Sequence, residues 1–312
     1  MRYDDFRRSG DIEDRRDDGD GGGFGGGGGG FGIPMGGGGL GLGTIVVLGL
    51  VGWALGIDPR LLIGGAEILN GGMSQYQSDR PSSQPTKSGV PQDEMGSFVA
   101  GVLGEIDDRW SEVFQAAGRT YTGPKIVLFR NATNGGRCGM AQSAMGPFYC
   151  PPERRIFLDT GFFREVETRF RGCSGPACRF TQAYIIAHEA GHHVQNVLGI
   201  LGSVTQKQQQ AGSKAEANAL QVRVELQADC LAGVWANKEK QKRPNFLEDG
   251  DIDAALQTAS AIGDDTLQRQ ATGRVVPDSF THGSAEQRKR WFLTGFQQGT
   301  VNSCNTFGAS SL

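Results

Sequence analysis

The stretch TQAYIIAHEAGHHVQNVLGI, residues 181–200, constrains the fold more than any other part of the chain. It sets three of the four histidines into a run of apolar and small residues. Tyr184, Ile185, Ala187, Val194, Val197 and Leu198 recur at helical steps and no proline interrupts them, so a buried or half-buried helix is expected. On a helix His188 and His192 stand one above the other on a single face. Glu189 points to the adjoining face. His193 is turned by about 100° from His192 and cannot share that face. Imidazoles in an apolar helix are costly unless each has a partner. His–Glu–x–x–His is also the spacing at which a helix offers two imidazole nitrogens to one zinc ion, with the glutamate reaching the water that such an ion activates.

A catalytic zinc site takes a third protein ligand and leaves one position for solvent. Only His282 lies outside the first helix, so a carboxylate is the natural candidate. QVRVELQADCLAGVWANK, residues 221–238, reads as a second helix from the three- and four-residue steps of Val222, Leu226, Cys230, Val234 and Trp235. Glu225 and Asp229 are four apart on one of its faces. Glu225 is expected as the third ligand. Asp229 is expected to accept the N–H at the far side of a ligating imidazole. A merely solvated acidic face is the plain alternative for the pair.

HEAGH followed about thirty residues later by ELQAD resembles the two-helix pattern of zincin-type metallopeptidases with a glutamate ligand. FTQAYIIAHEAGHHVQNVLGI, ELQADCLAGVWA, AIGDDTLQRQATGRVVPDSFTHGSAEQR and the apolar N-terminal segment are together similar to the bacterial neutral zinc metallopeptidase family, over residues 95–307 plus an anchor. The resemblance implies a zincin-like, helix-rich α+β domain holding Zn2+ through His188, His192 and Glu225. It implies hydrolysis of peptide bonds in a peptide or protein substrate, with Glu189 as general base and proton carrier to the departing amine. DSFTHGSAEQRKRW, residues 278–291, is similar to a Thr-His-Pro-(four residues)-Arg element of membrane-linked zinc peptidases. That likeness implies catalytic roles for His282, as a donor to the developing oxyanion, and for Arg288. Gly283 stands where the proline would be. The plain alternatives are a helix start around Asp278–Ser284 and an arginine that pairs with an acid.

GPFYCPPERRIFLDTGFF, residues 146–163, precedes the first helix. Arg155–Asp159 reads as a strand, and Pro151 and Pro152 suit a sheet edge. The segment is expected either to offer a substrate an edge to pair with, as zincins do, or to be an ordinary core strand.

Residues 1–39, charged and then glycine-rich, are expected to be a disordered tail, since they cannot bury enough surface to fold. Residues 40–63 are expected to anchor the chain in a membrane. Leu40–Ile57 offers an uncharged run near the minimum for one transmembrane helix. Arginines 2, 7, 8, 15 and 16 precede it, which favours a cytoplasmic N-terminus and a catalytic domain in the periplasm or outside the cell. Residues 64–94 read as a flexible linker and 95–312 as the peptidase domain. Within that domain helices are expected at Met95–Ala117, 213–240, Asp251–Ile262 and Ala285–Gln297, with a buried strand at Lys125–Phe129.

All 6 cysteines follow the apolar run. Proximity favours Cys138–Cys150 and Cys173–Cys178, leaving Cys230–Cys304, and disulfides suit an oxidising compartment. A second metal site is disfavoured because Cys173-x4-Cys178 has no matching Cys-x2-Cys. The net charge of −3 gives no reason to expect a nucleic-acid partner. Two function classes remain: a membrane-tethered zinc endopeptidase, and a non-catalytic partner-binding domain on a zinc-holding zincin scaffold. Retention of Glu189 favours the first, since a structural site has no use for a base.

Overall fold

The computed structural model describes residues 1–18, 87–168 and 173–312. In chain order its elements are β1 (Ile12–Asp14), β2 (Lys87–Ser88), α1 (Glu94–Ala116), β3 (Lys125–Phe129), β4 (Ala132–Asn134), β5 (Met140–Gln142), β6 (Phe148–Cys150), β7 (Arg155–Asp159), α2 (Phe162–Thr168), α3 (Cys178–Val197), α4 (Ile200–Gln209), α5 (Lys214–Lys242), α6 (Asp251–Ala261), α7 (Asp264–Thr272) and α8 (Ala285–Gln298). The architecture is helix-rich α+β with a small sheet.

KIVLF and RIFLD are short apolar runs, as strands buried on both faces must be. They pair in parallel from Lys125↔Arg155 to Phe129↔Asp159. Alternation then divides their side chains between two layers. Ile126, Leu128, Ile156 and Leu158 enter the main core. Val127, Phe129 and Phe157 join a smaller cluster with Ala141 and Cys150. The Cys138–Cys150 disulfide ties the β4–β5 hairpin region to that second layer. The sheet order is β2-β1-β3-β7-β6. Arg155–Asp159 is therefore an interior strand with neighbours on both sides. The edge belongs to β6, antiparallel to β7 and three residues long.

The expectation of a disordered tail over residues 1–39 is corrected for residues 1–18. β1 pairs in parallel with β3, Ile12↔Ile126 through Asp14↔Leu128. Met1, Phe6 and Ile12 are buried in the main core. The charges that make this segment look solvated have partners. Arg7 clasps Asp108 at 2.8 Å, Arg16 bonds Asp93 at 2.5 Å, and Glu13 accepts from Arg155 at 2.9 Å. The expected linker also ends earlier than 94: Lys87–Ser88 pairs antiparallel with β1, and Asp93 caps α1 by accepting from the Gly96 N–H at 3.0 Å. The glycine-rich stretch, the anchor 40–63 with its run Leu40–Ile57, and most of the linker lie outside the described residues. No helix among the described residues is long and apolar enough to cross a membrane.

The helical layer brings three backbones unusually close. A Cβ on Gly191 of α3 would stand 3.0 Å from the Ala228 carbonyl oxygen of α5. One on Gly295 of α8 would stand 1.9 Å from the Cys230 carbonyl oxygen. Glycine at these two positions lets α5 lie against α3 on one side and α8 on the other. Cys230–Cys304 pins the C-terminal segment to α5, and Cys173–Cys178 closes the turn that enters α3. All three disulfides pair as expected, and no cysteine is free.

Candidate active site

The contact of α3 with α5 at Gly191 brings both helix faces of interest together. His188 Nε2 lies 3.3 Å and His192 Nε2 3.4 Å from the same Glu225 oxygen, Oε2. One donor atom from each of the three residues falls within 4.8 Å of the others, so the trio could hold one metal ion.

The polar groups behind them fix which atoms face inward. His188 Nδ1–H donates to Asp229 Oδ1 at 2.8 Å. His192 Nδ1–H donates to Gln195 Oε1 at 2.9 Å. The Gln195 amide nitrogen itself donates to the Val224 carbonyl at 2.8 Å and to Gln227 Oε1 at 3.0 Å, which leaves its oxygen for the imidazole. Both rings therefore turn Nε2, the atom a metal ion would take once deprotonated, toward Glu225. Gln221 donates to Glu225 Oε1 at 2.8 Å and leaves Oε2 to face the rings. The donor set, two neutral imidazoles and one carboxylate oxygen, suits zinc.

Without a cation, the same acids draw a proton onto the imidazoles instead. Burial alone would depress His188, but Asp229 and Glu225 overcome it and lift the imidazole to about 10. Burial raises Glu225, yet the two imidazoles pull it well below the ordinary carboxylate range. The site thus favours positive charge at its centre. Glu189 is buried beside it. Burial pushes its carboxyl up against the pull of both histidines, with the Tyr149 backbone N–H facing it.

Asp229 and Arg288 form the floor. Arg288 Nε donates to Asp229 Oδ2 at 2.9 Å and its Nη2 to Oδ1 at 3.0 Å. Tyr184 O–H donates to Oδ1 at 2.6 Å. Of the two readings of Arg288, a catalytic role or pairing with an acid, the contacts match the second: its Nε and Nη2 are engaged by Asp229, with Nη2 also on the Tyr184 hydroxyl at 3.3 Å. It acts on the site through Asp229 and His188.

His282 lines the same cleft, on the loop before α8. Asp264, at the start of α7, holds that loop: its Oδ2 accepts the backbone N–H groups of Thr281, His282 and Gly283 at 2.7, 2.6 and 3.0 Å. Its Oδ1 lies 3.4 Å from His282 Nδ1. Gly283 has φ +91°, which a proline ring cannot adopt, so the departure from Thr-His-Pro reflects a different backbone. The helix start expected nearby is Ser284, which caps α8 in a capping box with Gln287.

His193, the third imidazole of the motif, is fully buried and burial holds it down to about 4, hence neutral. Gln195, Gln221 and Tyr184 escaped the sequence reading. The first two were open to it, since they stand three and four residues from His192 and Glu225 on the same helices. Asp264 was not, because its partner loop is a tertiary neighbour.

A cleft of about 550 Å³ opens over this centre. β6 and the loop before it line the cleft with Met145, Pro147 and Tyr149, and α4 adds Leu201 and Val204.

No solved structure matches the chain at a significant level. Among curated proteins it is similar to uncharacterized protein YpfJ of Escherichia coli strain K12, 45% identical over 310 residues, covering 99% of this chain and 100% of the relative. It is also similar to uncharacterized protein Rv2575 of Mycobacterium tuberculosis, 46% identical over 200 residues, covering 62% of this chain and 65% of the relative. The model of the family described as "Putative neutral zinc metallopeptidase" spans residues 1–307, taking in the paired N-terminal strand along with both ligand-bearing helices, and the chain belongs to that family.

Proposed function

We propose that the protein is a zinc-dependent peptidase with a zincin-like centre. The observation that carries this reading is the convergence of two Nε2 atoms on Glu225 Oε2, at 3.3 and 3.4 Å, beneath an open cleft that Glu189 also lines. Zinc held by His188, His192 and Glu225 would polarise a scissile carbonyl and acidify its water. Glu189 takes the proton from the attacking water and delivers it to the leaving amine. Its burial supports this role, because a raised carboxyl is a stronger base. His282 can donate to the oxyanion as charge develops, on a loop that Asp264 keeps in place. Asp229 and Gln195 hold the two imidazoles in their tautomers, and Arg288 holds Asp229.

An extended peptide or protein segment suits the cleft, with apolar side chains against Met145, Pro147, Leu201 and Val204. The three disulfides favour work in an oxidising compartment, the periplasm or cell exterior, with the run Leu40–Ile57 as the means of membrane attachment. The test is Glu189→Gln in the full chain, assayed for bound zinc and for cleavage of an unstructured protein. The expected outcome is full zinc occupancy with hydrolysis abolished. Cleavage at the wild-type rate would remove Glu189 from the mechanism. No cleavage by wild-type protein with zinc bound would favour the non-catalytic, partner-binding reading.

A further inference from the structure

The peptidase reading uses His188 and His192 and leaves His193 without a task. The structure gives it hydrogen-bond partners from two separate parts of the chain. His193 Nε2 lies 2.8 Å from the Thr122 carbonyl oxygen, which can only accept, so Nε2 carries the proton. Nδ1 is then an acceptor, and the Tyr149 O–H donates to it at 2.9 Å. The Tyr149 oxygen in turn accepts from Asn196 Nδ2 at 2.9 Å. Every donor and acceptor in this chain is thereby assigned a direction. The Tyr149 and Tyr121 rings meet the imidazole edge to face, with centroids 5.4 and 5.6 Å away.

Tyr149 is the middle residue of β6, the edge strand beside the cleft. Asn196 adds a second tie to the end of that strand, donating to the Pro151 carbonyl at 3.2 Å. The other end of the linkage is Glu189, which lines the same cleft and whose carboxylate the Tyr149 backbone N–H faces. One residue of β6 is therefore gripped by α3 at two places. Its side chain is held by His193 and Asn196, and its main chain faces Glu189.

We infer that His193 is a positioning residue for catalysis: through Tyr149 it sets the distance between the edge strand and α3, and so the placement of the Glu189 carboxylate. This rests on the peptidase reading above. The alternative that the contacts merely fill the core predicts no special effect at Glu189. A three-residue strand has few ladder bonds to hold it in place, so side-chain ties matter more here than in a long strand. Displacing a general base by a fraction of an ångström is enough to slow the chemical step severely.

The experiment uses the full zinc-loaded chain and the variants His193→Phe, His193→Gln and Tyr149→Phe. Two quantities are read in each: hydrogen exchange at the Tyr149 amide, and kcat and KM on one peptide substrate, with zinc content measured alongside. His193→Phe keeps an aromatic ring but leaves the Tyr149 hydroxyl proton and the Thr122 carbonyl without the imidazole. It is expected to retain zinc, to speed exchange of the Tyr149 amide about 10-fold and to lower kcat about 10- to 100-fold with KM little changed. Glutamine offers both a donor and an acceptor, so His193→Gln should recover most of both. Tyr149→Phe deletes a single hydroxyl and should repeat the His193→Phe pattern more weakly, which carries the test should His193→Phe not fold. Wild-type exchange at the Tyr149 amide in folded His193→Phe or Tyr149→Phe overturns the inference, as does a fall in activity that merely follows loss of zinc. Should the wild-type protein cleave nothing, the peptidase reading fails while the exchange measurement still decides whether His193 holds β6.

Discussion

Replacing Asp229 with asparagine separates two jobs that this carboxylate performs at once. Asp229 is fully buried, and its Oδ1 and Oδ2 receive His188, Tyr184 and two nitrogens of Arg288. Asparagine keeps the shape but turns one acceptor into a donor. Whichever way the amide is set, an N–H then faces an N–H or O–H donor. It also leaves the Arg288 guanidinium, only 5% exposed, without its counter-charge. Breaking a buried pair from one side costs about 3–5 kcal/mol. For a domain of this size each kcal/mol lowers the midpoint by roughly 2–4 °C, so metal-free Asp229→Asn should melt about 6–20 °C below wild type. The second job is orienting His188, and loss of such a partner lowers metal affinity about 10- to 100-fold. Scanning calorimetry on metal-stripped protein reads the first effect, and competition with a chromophoric zinc chelator reads the second. The double variant Asp229→Asn/Arg288→Leu removes the stranded charge. It should regain much of the melting temperature while zinc affinity stays low. A single variant that melts within about 2 °C of wild type would refute the buried-pair reasoning. Recovery of zinc affinity in the double variant would refute the orienting role.

Three other perturbations have definite outcomes. Gly191→Ala places a methyl group 3.0 Å from the Ala228 carbonyl oxygen, so α3 and α5 must separate by a few tenths of an ångström; stability should fall by about 1–3 kcal/mol in urea unfolding together with zinc affinity, and unchanged values would mean the helices have slack. Deleting residues 1–18 bares the β1-facing side of β3 and removes Met1, Phe6 and Ile12 from the core, so the product should aggregate in light scattering, and a monomer with a wild-type melt would reject that account. Burial pushes Asp107 up to about 7 and leaves its Oδ1 without a hydrogen bond. The folded state thus holds a proton that the unfolded chain releases near 4, and stability should fall as pH rises from about 4 to 7. Asp107→Asn should flatten that slope when unfolding free energies at about pH 5 and pH 8 are compared, and an unaltered slope would assign it to other groups.

What the sequence reveals here depends on range. The helices α1, α3, α5, α6 and α8 lie within a few residues of their expected limits, because their signal is a spacing of three and four along one segment. The same holds for His188 with His192 and for Glu225 with Asp229. Partners that meet only in the folded state were hidden. IED, the sequence of β1, carries two acids and reads as part of a solvated tail; it becomes a strand because Ile12 finds the core and Glu13 finds Arg155. Segment 146–163 could be read as an edge or as a core strand, and it contains both: Phe148–Cys150 takes the outer position beside Pro151 and Pro152 and leaves Arg155–Asp159 interior. Arg288 could be placed near the site from its motif, but not on Asp229, whose acceptance of it depends on how α8 crosses α5.

The pairing of β1 has a consequence for how the chain is threaded through a cell. Asp14 is paired with Lys87, and the Lys87 ammonium bonds Asp17 at 2.9 Å, so the departure at Asp18 and the return at Lys87 share one rim of the sheet. A lipid bilayer traversed once between those points would strand residues 1–18 on the face opposite the peptidase domain, and no ladder to β3 could form across hydrocarbon. While β1 is seated, a cytoplasmic amino terminus and an exported domain exclude each other, and whichever compartment oxidises the three cysteine pairs also holds Met1.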